Sequence, residues 1–274
     1  MVSLARELEH LASLLEAKTK KPRGLKHPRH AQHVAPARKR IKAVLVHFFE
    51  RQRAAVLKAV KPHIARHLIS YPVPVREATS TQGRTFASSL LPHSLQPLSF
   101  AATGAEESAY NDAITTLIGA AAKSLDASAA VGEDFAGEYL RDNSLSKLTG
   151  GINETSIERL QDALAGAWDK GGDYDSMVKA VTDTFDDFST TRTELIAQTE
   201  ANDAYNDGRH SIAIGLDMDE KRWDPDGTAA CEEICQPNAD QGWIPIDEDF
   251  QSGDDAPSGH PRCDCSTDYR KSSE

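Results

Sequence analysis

Four cysteines fall within a 35-residue window: Cys231, Cys235, Cys263 and Cys265. A histidine, His260, stands just ahead of the second pair in Gly259-His260-Pro261-Arg262-Cys263-Asp264-Cys265. Three residues separate the first pair, a spacing that lets two thiolates reach one metal ion. The chain between the pairs is rich in turn-formers and carboxylates and has little with which to build a core of its own. A crosslink joining its two ends would hold it. Three arrangements fit these residues. One is a structural, tetrahedral zinc site made by Cys231 and Cys235 with two of His260, Cys263 and Cys265. Another is a set of disulfides between the pairs, which a reducing cytosol disfavours. The third is a group of buried, unlinked thiols. A catalytic zinc would need an open coordination position and a nearby base. Beyond residue 100 only His210 and His260 remain, too few for a histidine-and-metal nuclease. The carboxylates Asp247, Glu248, Asp249, Asp254 and Asp255 lack the alternation and glycine of an EF-hand loop and read as a solvated acidic segment.

These residues must be positioned by the elements before them. Thr191 with Glu194 opens a long helix expected to end near Gly215. On it, Thr199, Glu200 and Asn202 form a polar strip. Its expected role is packing, with side chains hydrogen-bonding the turns of the Cys/His loop rather than acting as an acid/base pair. Strand signals follow at Lys221–Trp223 and Gly242–Ile246. Upstream, Thr155 with Glu158 has the form of a capping box, followed by Ile157, Leu160, Leu164 and Trp168, and Gly171-Gly172 ends that helix. Asp175 is expected to cap the next, with Val178, Val181, Phe185 and Phe188 as its buried stripe. Ala109, Ile114, Leu117, Ile118, Ala121 and Leu125 form a helical face from about Ala105, and a further helix covers 131–142.

The first part of the chain differs in character. Leu4, Leu8, Leu11 and Leu15 mark a short amphipathic helix. Prolines and basic residues then break the pattern. A second helix runs from about Arg38 to Leu68 on Ile41, Val44, Leu45, Phe48, Ala55, Val56, Val60 and Ile64, with a kink at Pro62. The order is therefore a basic helical arm at 1–70 with a linker at 17–37, an extended connector at 71–104, a helical region at 105–189 and a module at 190–274. The expected fold is mainly α with a small α+β C-terminal module stabilised by its Cys/His site.

The formal charge of −11 hides a division. Residues 1–70 hold 16 Lys/Arg against 4 Asp/Glu, and residues 71–274 hold 15 against 38. A basic arm on an acidic body suits an acidic partner. Lys20, Lys21, Arg23, Lys26, Arg29, Arg38, Lys39 and Arg40 are the candidate contacts to nucleic acid or to an acidic protein surface. With aromatics at only 6%, and few of them in the arm, base stacking is not expected. Contact with phosphates would be sequence-independent and salt-sensitive. No apolar run spans a bilayer, so no membrane contact is expected. The start lacks a basic segment followed by an apolar one, so no secretory signal is expected either.

Read as one string, residues 190–269 resemble a known family. Thr191-Arg192 opens a helix, and Ala197-Gln198-Thr199-Glu200, Asn202 and Tyr205–Gly208 follow on it. Lys221-Arg222-Trp223 comes next, then Asp226 ahead of Cys231 and Cys235, and the string closes on His260-Pro261-Arg262-Cys263-Asp264-Cys265. This order is similar to the phage Mu F-like head morphogenesis domain of minor head proteins in tailed phages. Its pattern has Ala-Arg-Thr-Glu, Lys-x-Trp, an Asp before a cysteine pair, and a closing His-Pro-x-Cys-Arg-Cys. Phe48-Phe49-Glu50-Arg51-Gln52-Arg53 is similar to the family's opening. Here Gln198 and Asp264 replace two arginines of the pattern, and the first cysteine pair is one residue wider than usual.

The resemblance implies a minor structural or head-assembly protein, with no settled catalytic activity, acting in procapsid assembly or in DNA packaging and ejection. Its implied partners are the portal protein and capsid or scaffolding protein, with packaged DNA a further partner for the basic arm. Its implied location is the host cytoplasm during assembly and then the virion head. The alternative is a metal-dependent nuclease or toxin-like effector carried in the head. A regulatory zinc protein that binds DNA through the arm is a third reading, opposed by the acidic body.

Overall fold

The computed structural model describes residues 28–70, 85, 87, 101–226, 231 and 233–272. The expected helix over Leu4–Leu15, most of the connector at 71–104, and Lys20, Lys21, Arg23 and Lys26 lie outside these residues. The elements are α1 (Pro28–Ser70), α2 (Gly104–Ser124), α3 (Ala129–Asp142), α4 (Leu145–Asp169), α5 (Tyr174–Asp187), a π-helical turn (Phe188–Arg192), α6 (Thr193–Gly215), β1 (Glu220–Asp224), α7 (Cys235–Asp240), β2 (Ile244–Pro245) and β3 (Ser266–Arg270). The fold is mainly helical, with its strands confined to a small C-terminal part that carries the Cys/His cluster. Among the described residues no helix is long and apolar enough to cross a membrane.

The chain forms two compact units, each assembled from segments distant in sequence. Of the described residues, one comprises those up to Ala43, Glu107–Ser144 and those from Glu194 onward; the other comprises those between Val44 and Glu106 and Leu145–Thr193. The four consecutive stretches read from sequence do not map one to one onto these units, because α1 and α2 contribute to both.

The second unit is helical. Phe48, Phe49, Val56, Val60 and Ile64 of α1 are buried in it, as are Leu160, Leu164, Phe185 and Phe188. Thr155 does not begin a helix. It sits inside α4 and donates to the Gly151 carbonyl, because Leu145, Leu148 and Ile152 carry the buried stripe further back. A capping box does form at Thr103 and Glu106, at the start of α2: the Thr103 N–H donates to Glu106 at 2.7 Å and the Glu106 N–H to the Thr103 hydroxyl at 3.2 Å. Gly171, at φ 73°, and Gly172 close α4, with the Gly172 N–H on the Ala167 carbonyl. Asp173, not Asp175, caps α5 by accepting from the Ser176 N–H, and Met177 replaces Val178 in the buried stripe. Thr191 opens nothing, since the π-helical turn carries α5 into α6 without a break. The reason is Arg192: buried, it lies over Phe188 and Phe49 and donates to Ser156 and the Ile152 carbonyl.

In the first unit α1 begins ten residues before Arg38, through the stretch expected to be a linker. His30, Val34 and Ala37 are buried ahead of Ile41, so the apolar stripe reaches back past Pro36. His30 and His33 both meet the Tyr205 ring of α6. On α2, Tyr110 is buried in place of Ala109, together with Ile114, Leu117, Ile118 and Ala121. A Cβ on Gly208 would stand 3.2 Å from the Ile118 side chain, which would have to shift, so glycine favours the close approach of α6 to α2. Beyond α6 the strands pair antiparallel in the order β2-β1-β3. One face of β1 buries Lys221 and Trp223, opposite Tyr269 and Thr267 of β3. The Lys221 ammonium donates to the Asp255 carbonyl at 2.9 Å and lies over the Phe250 ring. Trp223 meets Phe250 edge to face, and with Ile244 and the four cysteines they form a small core.

Candidate metal centre

Each element of this small core delivers one part of the site. Cys231 follows β1, Cys235 begins α7, and Cys263 and Cys265 lie just before β3. The turn between His260 and Cys263 folds the chain sharply: the Cys263 N–H donates to the His260 carbonyl at 3.1 Å, Pro261 takes the second position and Arg262 the third with φ 63°. That is the pattern of a type II turn, which needs a positive φ at its third residue. It turns His260 and Cys263 inward together.

The four thiols are almost completely buried, and His260 is 6% exposed. All four cysteines are free, so the disulfide arrangement is not the one formed. Cys231, Cys235 and Cys265 have their sulfurs within 4.8 Å of one another, and a further donor caps each side of this triangle. Cys263 caps the Cys235–Cys265 side, His260 the Cys231–Cys235 side, and Asp226 the Cys231–Cys265 side. The sulfurs of Cys231 and Cys265 are 3.4 Å apart and those of Cys235 and Cys263 3.9 Å apart. A tetrahedral ion with metal–sulfur bonds of about 2.3 Å sets its thiolates about 3.8 Å apart, close to the spacing of these two pairs. His260 Nε2 lies 3.6 Å from the Cys231 sulfur while Nδ1 is 2.9 Å from the Pro261 carbonyl. With the proton on Nδ1 and donated to that carbonyl, Nε2 is left to face the sulfurs, the orientation of a ligating histidine.

The donors also perturb one another's titration. The neighbouring Cys235 and Cys265 hold the Cys263 thiol well below its ordinary value, while Cys231 and Cys263 push Cys235 up. Burial pulls His260 down, yet its contacts with the Cys231 and Cys263 sulfurs raise it to about 11. Sulfurs this close cannot all carry negative charge without a cation among them. A divalent ion removes that conflict.

Amide side chains of α6 hold the loop around the sulfurs. Gln198 donates to the Arg262 carbonyl at 3.1 Å, Asn202 to the Ser258 hydroxyl at 2.9 Å and the Cys265 carbonyl at 3.4 Å, and Asn206 to the Cys265 carbonyl at 3.1 Å. Of the polar strip read from sequence, Asn202 therefore takes its expected place. Glu200 accepts from the buried Tyr110 hydroxyl of α2 at 2.9 Å. Thr199 is half-buried and has no hydrogen bond to the loop among the described residues. Gln198 and Asn206 were missed, although their spacing at four residues either side of Asn202 puts all three amides on one helical face. Asp226 was noted in the sequence but not counted as a donor. Its carboxylate accepts from the Cys231 thiol at 2.7 Å and the Asp264 N–H at 3.3 Å, and its own N–H points at the Cys265 sulfur at 3.3 Å.

The expected basic contacts divide. Arg38 is held within the protein: it donates to Glu194 at 2.9 Å and Gln198 at 2.8 Å and lies 3.8 Å from Asp264. Lys42 also pairs with Glu194. Lys39 and Arg40 are exposed, and Arg29 lies in the first turn of α1. Asp247, Glu248, Asp249 and Asp255 are exposed, as the sequence suggests, whereas Asp254 is half-buried and accepts from the Ser252 hydroxyl at 2.7 Å. No protein-family model, curated protein or solved structure matches the chain.

Proposed function

We propose that the chain is a minor head protein of a tailed bacteriophage, with a C-terminal module clamped by one structural zinc ion. Burial of the whole donor set carries the zinc reading. A catalytic zinc keeps a position open to water, whereas these sulfurs and His260 are closed off. Zinc crosslinks the two ends of the 231–265 segment; the chain's own residues shape the loop and exclude water. Cys231, Cys235 and Cys265 supply three ligands. Cys263 is the fourth, because its sulfur stands 3.9 Å from that of Cys235, the spacing of two thiolates on one tetrahedral ion, while His260 and Asp226 orient the sulfurs beside them.

The head-protein reading is supported by the order of motifs that the sequence shares with the Mu F-like domain and by where they sit. Asp226, the first cysteine pair, His260 and the second cysteine pair stand in that order along the chain and converge on one centre. The exposed Lys39 and Arg40, with the basic residues before them, would meet portal protein, scaffolding protein or packaged DNA through charge. The test is co-expression of the full chain with the portal and capsid proteins of a tailed phage, followed by sedimentation of procapsids. Co-sedimentation that weakens with salt is the expected result. A nuclease activity that disappears in His260→Ala would contradict it.

A further inference from the structure

Arg38 of α1 reaches the metal-binding loop through the two ends of one amide. Its Nη2 donates to Gln198 Oε1 at 2.8 Å and to Glu194 Oε1 at 2.9 Å, while its Nη1 lies 3.8 Å from Asp264 Oδ1. Gln198 in turn donates Nε2 to the Arg262 carbonyl at 3.1 Å. An amide side chain has one oxygen and one nitrogen, so fixing one end fixes the other. With its oxygen on the guanidinium, Gln198 must turn its N–H₂ to the loop. Arg262 precedes Cys263 directly, and Asp264 separates Cys263 from Cys265. The guanidinium thus has acceptors on both α6 and the cysteine loop, which a planar fork of donors can serve at once and an ammonium cannot.

We propose that Arg38 is a positioning residue of the metal centre: by orienting Gln198 and facing Asp264, it holds the Cys263–Cys265 arm closed and slows release of the ion. The role rests on the zinc reading above. Arg38 touches no sulfur and acts only through its neighbours. Its side chain is 27% exposed and its acceptors Glu194 and Asp264 are more so, which gives the network little weight in overall stability. The place where it counts is the local opening that must precede loss of the ion.

The test is the rate at which the zinc-loaded full chain gives up zinc to excess chelator under reducing conditions. Arg38→Ala and Gln198→Ala should each release zinc roughly five-fold faster, the factor that about 1 kcal/mol of lost hydrogen bonding confers. The double variant should be no faster than the faster single one. Lys42→Ala removes a cation from the same Glu194 without touching the loop, and should release zinc at the wild-type rate. Should Arg38→Ala fail to fold, Arg38→Lys decides, since it keeps the charge but cannot span the same acceptors, and faster release is expected. Wild-type release in a folded Arg38 variant, or equal acceleration in Lys42→Ala, overturns the proposal. A wild-type chain that holds no zinc overturns the metal reading instead.

Discussion

Asn206 donates its side-chain amide to the backbone carbonyl of Cys265 across 3.1 Å, joining residues 59 apart in the chain. Both are fully buried, so the bond fixes a candidate ligand to the long helix beneath it. Asn206→Asp keeps the shape but turns an acceptor toward that carbonyl. It should cost about 2–3 kcal/mol, and Asn206→Ala about 1–2 kcal/mol, in denaturant unfolding of the reduced protein. A loss below about 0.5 kcal/mol for Asn206→Asp would mean that the bond does not hold the loop.

The sulfur triangle predicts unequal roles for the donors around it. Cys265 is one of the three corners of that triangle and a proposed ligand, so Cys265→Ser should abolish zinc binding. His260 caps one side alone. His260→Ala should keep the metal while weakening it by about 10–100-fold, the usual effect of losing an orienting partner. Competition with a chelator of known affinity measures both. Complete loss of zinc in His260→Ala would instead make the histidine the fourth ligand.

Glu106 makes stability depend on pH in a defined direction. Burial alone would raise its carboxyl, but the Thr103 N–H, Arg51, His47 and the Thr103 hydroxyl together hold it below its ordinary value. A carboxylate lowered in the folded state contributes stability above its unfolded pKa and loses it as pH falls through the folded value. Wild type should therefore lose more stability than Glu106→Gln on acidification below the ordinary carboxylate range of about 4. Equal acid sensitivity in the two proteins would contradict this.

Arg262 adopts φ 63° at the turn position that favours glycine, while its carbonyl accepts from Gln198. Arg262→Gly removes the left-handed cost of about 1–2 kcal/mol at the expense of about 0.5–1 kcal/mol of chain entropy. The carbonyl contact stays. A net gain of roughly 0.5 kcal/mol should appear as a higher midpoint in denaturant, and a lower midpoint would show that the side chain itself is needed.

Much of this was legible in the sequence where buried side chains repeat at helical spacing, as they do from Ile41 to Ile64 and from Leu160 to Trp168. Local punctuation proved less dependable. Thr155 and Thr191 carry capping signals identical in form to that of Thr103, yet only Thr103 stands at a helix start, because burial of Ile152 and Arg192 keeps the other two inside helical turns. The proline-containing stretch before Arg38 became helix because His30, Val34 and Ala37 find a buried surface, which composition cannot show. At the candidate metal centre the possible donors Cys231, Cys235, His260, Cys263 and Cys265 were readable from type and spacing. Their supports, Gln198, Asn206 and Asp226, come together only through folding.

The most direct test is the zinc content of the full chain purified under reducing conditions, with thermal unfolding recorded before and after chelation. About one zinc per chain, and a melting temperature that falls when it is removed, is the predicted result. A chain with four free thiols, no metal and unchanged melting after chelation would contradict the account.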